Sequence, residues 1–410
     1  MDRYYADPWR RYPGRFKIMK DLNALSVRWV SSVDTIAVEL WKKCFPPPLE
    51  GRWWYATLER SGLNDQFSFF YGVLEQNSSP IGIAPAFLMD VPLDIVAPPF
   101  IAHMLLAVSR LFPRLRFQRT LFIGSPCADE GTIGLIPGIQ LRDVVVMLQD
   151  AVYDHAQNVG ASAIVWKDFP DTVSDDLNVL CRDRSLFKLV SYPGTIVPRL
   201  GNSFDGYLKT LSSAKRNNLK RKIKRSRAMG ELEALVIQYP EDSLLTEIFD
   251  LFWQTYQNST IKFEQLTPEF FRLIALEAVS HFIVLRIPET GKLVAFMLCF
   301  RVGSRVINKF IGIDYRFARD WYLYFRLWEA AVEWAATGGA SDLQSGQTGY
   351  CAKLDLGHKL IPLTNYCLHR NPLGHRIFSA AARYISWSTL DNDLKVFMRA
   401  HDRAYESSRP

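Results

Sequence analysis

The 410-residue sequence lacks any run of 18 or more apolar residues, so it predicts no regular transmembrane helix. It also lacks a charged-then-apolar leader at its start, from which we predict a cytoplasmic protein. Its six cysteines form no CxxC pair and show no metal-ligand spacing. This pattern is typical of reduced thiols in the cytosol and predicts neither a structural zinc nor any other metal.

Signatures of several enzyme classes are missing as well. Walker, dinucleotide-binding and zinc-protease motifs are absent, which argues against most nucleotide-hydrolysing and redox activities. Cys351 and His358 are seven residues apart and could form a nucleophilic pair. They come without a Gly-x-Cys/Ser-x-Gly elbow and without a recognisable third member, so covalent catalysis is disfavoured.

What the sequence does contain is enough apolar material for two full cores. Hydrophobic residues make up 48% of the chain and aromatic residues 13%, which predicts a globular protein over most of its length. Residues 1–22 are rich in Arg, Tyr and Pro without a clear period, and we expect a loosely packed arm there. The segment from Tyr384 onward is polar and is expected to pack little.

The stretch 281–346 predicts one α/β unit. Three apolar runs bounded by turn residues indicate strands at 282–287, 293–302 and 305–313. A helix is predicted over 321–336, with Asp320 as its N-cap and Gly338-Gly339 as its stop. A short strand then leads into Gln344. A ligand of such a unit is expected at strand ends that face a helix N-terminus.

The same order of elements occurs earlier in the chain. Strands are predicted at 67–75, 81–89 and 120–124, a helix at 141–159 and a closing strand at 162–167. Repeated element order predicts two copies of one fold. A long strand over 187–198 is expected to connect the first copy to the second.

Two segments of the first copy leave alternatives open. The apolar, proline-containing stretch 91–112 is either a buried loop and helix or a lid that meets a membrane surface. The stretch 122–131 ends a strand in small and turn-forming residues and includes Asp129 and Glu130. Its composition fits a strand-end ligand loop or a plain connection.

Positive charge is concentrated in one segment. The net charge is +7, and residues 204–230 alone hold nine basic residues and one acid. The rest of the chain is therefore close to neutral. A helix is predicted over 212–229 with a sparse apolar face, which places most of its cations in solvent. This is either a solvated face or a clamp for phosphates.

Several motifs resemble one superfamily. Ser212 to Leu219 is similar to the Ser-x-x-x-Arg-x-x-Leu basic helix, and Tyr350, Lys353 and Gly357 are similar to a polar Tyr-x-x-Lys…Gly pattern after a final core strand. With the tandem copies, these resemble the double-domain branch of the GNAT acyltransferases, which includes Fem-type peptidoglycan bridge ligases and bacterial N-acyltransferases. The resemblance covers about residues 30–380.

The resemblance implies an α/β (α+β) fold of two tandem GNAT-like domains, each a mixed sheet flanked by helices. The expected division is an arm at 1–22, a first domain at 23–200, a second, acyltransferase domain at 201–384 and a tail at 385–410. The implied function is that of an N-acyltransferase, which transfers an acyl group from an activated donor to an amine acceptor. The acceptor is expected to be a small molecule or a cell-envelope component. We expect a monomer.

The acyl donor implied by the resemblance is acyl-CoA, since the cationic patch is short for a tRNA footprint. One departure matters, because acyl-CoA-binding members carry a glycine-rich loop before the central helix, and here residues 313–322 contain no glycine. Either Arg316 and Arg319 take over its phosphate contacts, or the second copy does not bind CoA in the usual way. The residues predicted to bind the donor are Lys215, Arg216, Asn217, Arg221, Arg316 and Arg319.

The catalytic residues are predicted in the polar loop after the last core strand, where titratable groups cluster. These are Tyr350, Lys353 and His358, with Tyr324, Gln344 and Gln347 as substrate contacts. Three alternatives remain. The donor could be an aminoacyl-tRNA, the chain could be a nucleic-acid-binding protein that uses the basic helix, or it could be an inactive scaffold.

Overall fold

The computed structural model describes residues 25–92, 117–259 and 265–407, with side chains up to residue 400. The predicted arm at 1–22 and residues 93–112 of the apolar stretch lie outside these ranges. Within the described ranges, no helix combines the length and apolar character needed to cross a bilayer.

The strands form two mixed sheets. The strands of the first sheet are β1 (Leu25–Val30), β2 (Ser68–Gln76), β3 (Ser79–Pro92), β4 (Phe117–Ile123), β5 (Gly134–Leu135), β6 (Ala163–Pro170), β7 (Phe187–Val190) and β15 (Leu363–His369). Those of the second are β8 (Gly194–Val197), β9 (Glu233–Ile237), β10 (Ser280–Ile287), β11 (Lys292–Val302), β12 (Arg305–Ile313), β13 (Asp342–Gln344) and β14 (Lys359–Ile361). The first sheet has the order β1-β2-β3-β4-β6-β15-β7, with β5 paired to β3, and the second has the order β14-β8-β13-β12-β11-β10-β9.

Helices cover the faces of both sheets. Ser213–Met229 is the basic helix and Leu323–Thr337 the central helix of the second sheet. The other helices are Val38–Cys44, Arg52–Arg60, Leu141–Asn158, Ser174–Asp183, Phe204–Thr210, Asp242–Asn258, Pro268–Ala275, Tyr350–Asp355, Pro372–Ala382, Trp387–Leu390 and Asn392–Ser407. The predicted fold class, two mixed sheets each flanked by helices, is confirmed.

The two halves share one apolar core. Trp54 of the first half is fully buried, and its ring meets the rings of Phe270 and Phe300 of the second half. On β12, Ile307 faces this shared core, whereas Val306 faces the core beneath the central and basic helices. The second sheet therefore has the central and basic helices on one face. The other face packs against the helices Asp242–Asn258 and Pro268–Ala275 and against the first half of the chain.

The predicted strand at 187–198 is wrong as a single element. The chain forms β7 in the first sheet, leaves it at Ser191, and forms β8 in the second sheet. A continuous apolar pattern does not distinguish one long strand from two short strands in different sheets. After the second sheet the chain returns to the first sheet, where β15 pairs with β6 and β7.

Two further predictions also need correction, one for the central helix and one for the C-terminal segment. The central helix begins at Leu323, after Tyr322 in the left-handed region, and Asp320 does not cap it. The segment after Tyr384 packs more than expected, because Leu394 is fully buried and the Asp393 carboxylate accepts a hydrogen bond from the Cys351 backbone at 3.0 Å. The regular period of the helix Asn392–Ser407 was the signal for this packing.

Candidate active site

The second sheet opens between its two parallel strands. β12 and β13 pair only from Arg305 opposite Asp342 to Ile307 opposite Gln344. β12 then continues for six residues, to Ile313, along β11. Asn308 bridges the point of separation, donating a hydrogen bond from Nδ2 to the Ser345 hydroxyl at 2.7 Å. We call the space between residues 308–313 and the chain after Gln344 the gap.

A β-bulge lies at the start of the gap. Leu298 of β11 stands opposite Phe310, and Cys299 stands opposite Asn308, so Lys309 is the extra residue. A bulge of this kind bends the strand and redirects a side chain. It sends Lys309 into the interface with the first half, where only 1% of its side chain is exposed.

Lys309 is held by groups from the first half of the chain. Its ammonium contacts the carboxylate oxygens of Glu50 at 2.5 Å and Asp129 at 3.3 Å and lies 4.7 Å from the Trp54 ring centroid. Burial acts to lower the pKa of Lys309, but the Asp129 and Glu50 carboxylates raise it, so we take the lysine as charged. Burial raises the pKa of Glu50.

The loop after β4 closes one side of the gap. A side chain at Gly346 would come within 3.0 Å of the Asp129 carboxylate, so this loop lies against the chain that follows β13. Glu130 accepts a hydrogen bond from Nε2 of Gln344 at 3.1 Å. Asp129 therefore touches both sides of the gap, at Lys309 and at Gly346.

Lys353 holds the chain after β13, which borders the other side of the gap. Its ammonium donates to three backbone carbonyl oxygens, those of Ser345, Gly346 at 3.3 Å and Gln347 at 2.9 Å. An ammonium has three protons, so these contacts use all of them. Burial lowers the pKa of Lys353 to about 8. The three acceptors favour the charged form, which is the form expected at pH 7.

Tyr350 and His358 are both buried. The Tyr350 hydroxyl donates to the Pro193 carbonyl oxygen at 2.9 Å, and burial raises its pKa. The ring of His358 lies 4.7 Å from that of Trp328, and neither of its nitrogens has a hydrogen-bond partner among the described residues. Burial, together with the charges of Lys353 and Lys215, lowers the pKa of His358 well below its usual range.

The basic helix lies beside this loop. Ser212 caps it by accepting a hydrogen bond from the Lys215 backbone. Asp355 joins loop and helix, accepting from Asn218 at 3.1 Å and from Lys222 at 2.9 Å. The predicted donor-binding residues of this helix have no acidic partner in the described part of the chain. Asn217 and Arg221 are exposed, and Lys215 and Arg216 are half-buried.

The two arginines predicted to contact phosphate differ in their surroundings. Arg316 pairs with Asp314 through hydrogen bonds of 2.9 and 2.7 Å. Burial alone would raise the pKa of Asp314, but hydrogen bonds from Arg316 and Lys292 hold it at about 2. Arg316 is therefore already engaged, whereas Arg319 is exposed and its guanidinium contacts no acid in the part of the chain described.

The predicted substrate contacts separate into two places. Gln344 is the last residue of β13 and receives a hydrogen bond from Arg305 at 3.2 Å. Gln347 follows in the loop held by Lys353, and its Nε2 is buried without a partner in the described structure. Tyr324 lies on the central helix, with its hydroxyl also buried and unpartnered. Gln344 and Gln347 adjoin the gap, whereas Tyr324 lies in the first turn of the central helix.

Sequence reasoning missed Glu50, Lys309 and Arg305. Lys309 and Arg305 lie on one strand, but Glu50 is 259 residues from Lys309, and no local pattern marks them as neighbours. Asp129 and Glu130 lay within a stretch that had the composition of a strand-end ligand loop. That composition was the one available signal.

Comparisons with known proteins identify related folds. Residues 213–350 match the acetyltransferase (GNAT) domain family. FemX is similar in structure, with a TM-score of 0.55 at 12% identity over 86% of this chain and 100% of FemX. A tandem GNAT protein from the clavulanic acid biosynthesis pathway has a TM-score of 0.50 at 10% identity over 85% of this chain and 99% of its own. No curated protein sequence matches the chain.

Residues 213–350 thus match a GNAT domain, and the chain as a whole has a fold similar to double-domain, Fem-like proteins, in agreement with the resemblance seen in the sequence. This fold supports an acyltransferase as the general class of activity.

Proposed function

We propose that this protein is an N-acyltransferase that moves an acyl group from acyl-CoA to an amine. The observation that carries the proposal is the gap between β12 and β13 within the segment that matches the GNAT family. Successive N–H groups of a strand point to opposite edges, so part of those at residues 308–312 face the gap. They can donate to the carbonyl oxygen of a thioester and to the oxyanion formed from it. The Ile313 N–H already donates to the Thr255 hydroxyl at 3.2 Å.

The donor enters from the face that carries the basic helix. Lys215, Arg216 and Arg221 supply positive charge there, and Arg319 stands before the N-terminus of the central helix. Phosphates of CoA are the anions that such a surface recognises. Arg316 contributes less to phosphate binding, because the Asp314 carboxylate already neutralises its charge.

Lys353, Tyr350 and His358 act in this proposal by shaping the site. Lys353 holds the carbonyls of residues 345–347, so the backbone beside the gap keeps one conformation. Tyr350 fastens the same loop to Pro193. His358 fills the space between Trp328 and the basic helix and stays neutral at pH 7.

A donor screen by thermal shift tests the proposal. A donor present at 100 times its Kd stabilises the folded protein by about 2.7 kcal/mol. We expect acetyl-CoA or a longer acyl-CoA to raise Tm, and the matching free acids to leave it unchanged. An aminoacyl-tRNA that raises Tm where no acyl-CoA does would replace the donor with a tRNA ester. RNA binding with no effect of any acyl donor would instead favour a nucleic-acid-binding protein.

A further inference from the structure

The first half of the chain borders the gap at its Lys309 end. The central and basic helices lie on one face of the second sheet, and Lys309 points from the other face toward Glu50 and Asp129. The helix Asp242–Asn258 packs on β12 on that same face, with Thr255 at Ile313. An acceptor that meets a thioester from that face at the Lys309 end of the gap therefore passes the loop that holds Asp129 and Glu130.

Glu130 has one anchored and one open carboxylate oxygen. Gln344, the last residue of β13, donates to Oε1 at 3.1 Å. No described side chain donates to Oε2, and Glu130 as a whole is only half-buried. The side chain is thus oriented at the end of a rigid strand while its second oxygen is open to a ligand.

We propose that Glu130 is the proton acceptor for the amine that attacks the acyl group in the gap. This inference rests on the proposed function and assigns a catalytic residue from one half of the chain to the site of the other. The acceptor it implies is a protonated primary amine. Asp129 adds negative charge that favours such a cation at the entrance.

The charges around Glu130 suit this role. Burial raises the pKa of Glu130, Arg305 and Lys309 act to lower it, and Asp129 acts to raise it; the balance lies above the ordinary glutamate value. A raised pKa makes a carboxylate a stronger base, closer to the working pH. The other titratable groups of the loop are worse placed, because Lys353 has all its protons engaged and the Tyr350 hydroxyl is buried against Pro193.

Acyl transfer from the thioester to the protonated amine releases one proton in total. The ammonium gives one proton to Glu130, and the neutral nitrogen attacks the thioester carbonyl, forming the C–N bond. The tetrahedral intermediate breaks its C–S bond, and the second amine proton passes to the departing thiolate. Glu130 then releases its proton to solvent, leaving amide, thiol and one proton.

The test is Glu130→Gln, measured with acetyl-CoA and a panel of primary amines by release of free thiol. Glutamine can still accept from Gln344, so we expect Tm and the Kd of acetyl-CoA to stay at the wild-type values. We expect kcat to fall by about 10²–10⁴-fold. Glu289→Gln, in an exposed turn, is the matched control and should behave as wild type.

Two further readouts separate proton transfer from a structural role. Glu130→Asp keeps the charge and should recover part of kcat. The defect of Glu130→Gln should shrink at pH 7 for an alkoxyamine, which is already neutral, relative to an alkylamine. Wild-type kcat in Glu130→Gln, or an equal defect with both amines, would overturn the role of Glu130 and leave the proposed function standing. Absence of turnover by the wild-type protein with every amine would contradict the proposed function itself, and this inference with it.

Discussion

Asn308 and Ser345 are joined by a hydrogen bond of 2.7 Å at the point where two parallel strands stop pairing. One residue belongs to β12 and the other follows β13, so the bond fixes the width of the gap at its narrow end. Beyond this hydrogen bond, β12 and the chain after β13 are held in place by different lysines. Lys309 fastens β12 to the first half of the chain, and Lys353 fastens the loop after β13.

Replacing Lys353 by methionine should destabilise the protein by at least about 2 kcal/mol, because three buried carbonyl oxygens lose their donor. Urea denaturation measures the loss. Lys359→Met, at an exposed position in the next strand, is the control and should change little. Equal stability of both variants would show that the loop does not depend on Lys353.

The same lysine predicts a pH dependence. Burial lowers its pKa to about 8, below the ordinary value of 10.5, so the unfolded chain binds more protons between these values. The contribution of Lys353 to stability should therefore increase as pH rises from about 8 to 10.5. The difference in unfolding free energy between wild type and Lys353→Met, measured across this window, should follow that direction. A flat difference would contradict it.

His358 predicts a loss of stability in acid. Its pKa is lowered in the folded protein, so on acidification the unfolded chain takes up the proton first. Stability should fall as pH drops below the ordinary histidine value of 6.5, and His358→Phe should remove this part of the fall. Denaturation at pH 7.5 and pH 5.5 compares the two proteins. An identical pH dependence in both would rule out His358 as the cause.

Charge reversal on the basic helix should weaken donor binding. Arg216→Glu with Arg221→Glu removes two cations near the proposed phosphate contacts, and the remaining binding should depend less on salt. Calorimetric titration of acetyl-CoA at two salt concentrations measures both effects. Lys43→Glu with Lys188→Glu, at exposed positions in the first half of the chain, changes the net charge equally and serves as the control. Unchanged affinity in the helix variant would make the helix a solvated face.

The ion cluster between the halves predicts a coupled effect. Lys309→Met leaves the Glu50 and Asp129 carboxylates without their buried partner, which should cost about 3–5 kcal/mol. Adding Glu50→Gln and Asp129→Asn removes those charges and should restore much of the stability. Chemical denaturation of the single and triple variants tests this. A triple variant as unstable as the single one would show that packing, rather than charge, sets the effect.

Local patterns predicted most elements of the second sheet. β12 was predicted at 305–313, as observed, because an apolar run is bounded by the Gly303-Ser304 turn and by Asp314. The basic helix was predicted over 212–229, and the structure begins it one residue later, at Ser213, with Ser212 as its N-cap. The crossing between sheets at Ser191 was not predictable, because pairing partners of β7 and β8 lie in distant parts of the chain.

The site was predicted less completely than the fold. Lys353 contacts the chain that borders the gap, whereas Tyr350 and His358 are buried against Pro193 and Trp328. Burial and hydrogen bonding decide what each side chain can do. Those properties depend on Pro193, Trp328 and three backbone carbonyls. Glu50, Asp129 and Lys309 meet only because a bulge turns Lys309 toward the first half. No spacing in the sequence encodes that meeting.

The most direct test of the account is the position of the thioester in a complex with a non-hydrolysable acetyl-CoA analogue, determined by crystallography. We expect the acyl carbonyl in the gap, within hydrogen-bond distance of backbone N–H groups of residues 308–312, with the phosphates near the basic helix. A saturated complex with the thioester outside the gap, or failure of every acyl-CoA analogue to bind, would contradict it.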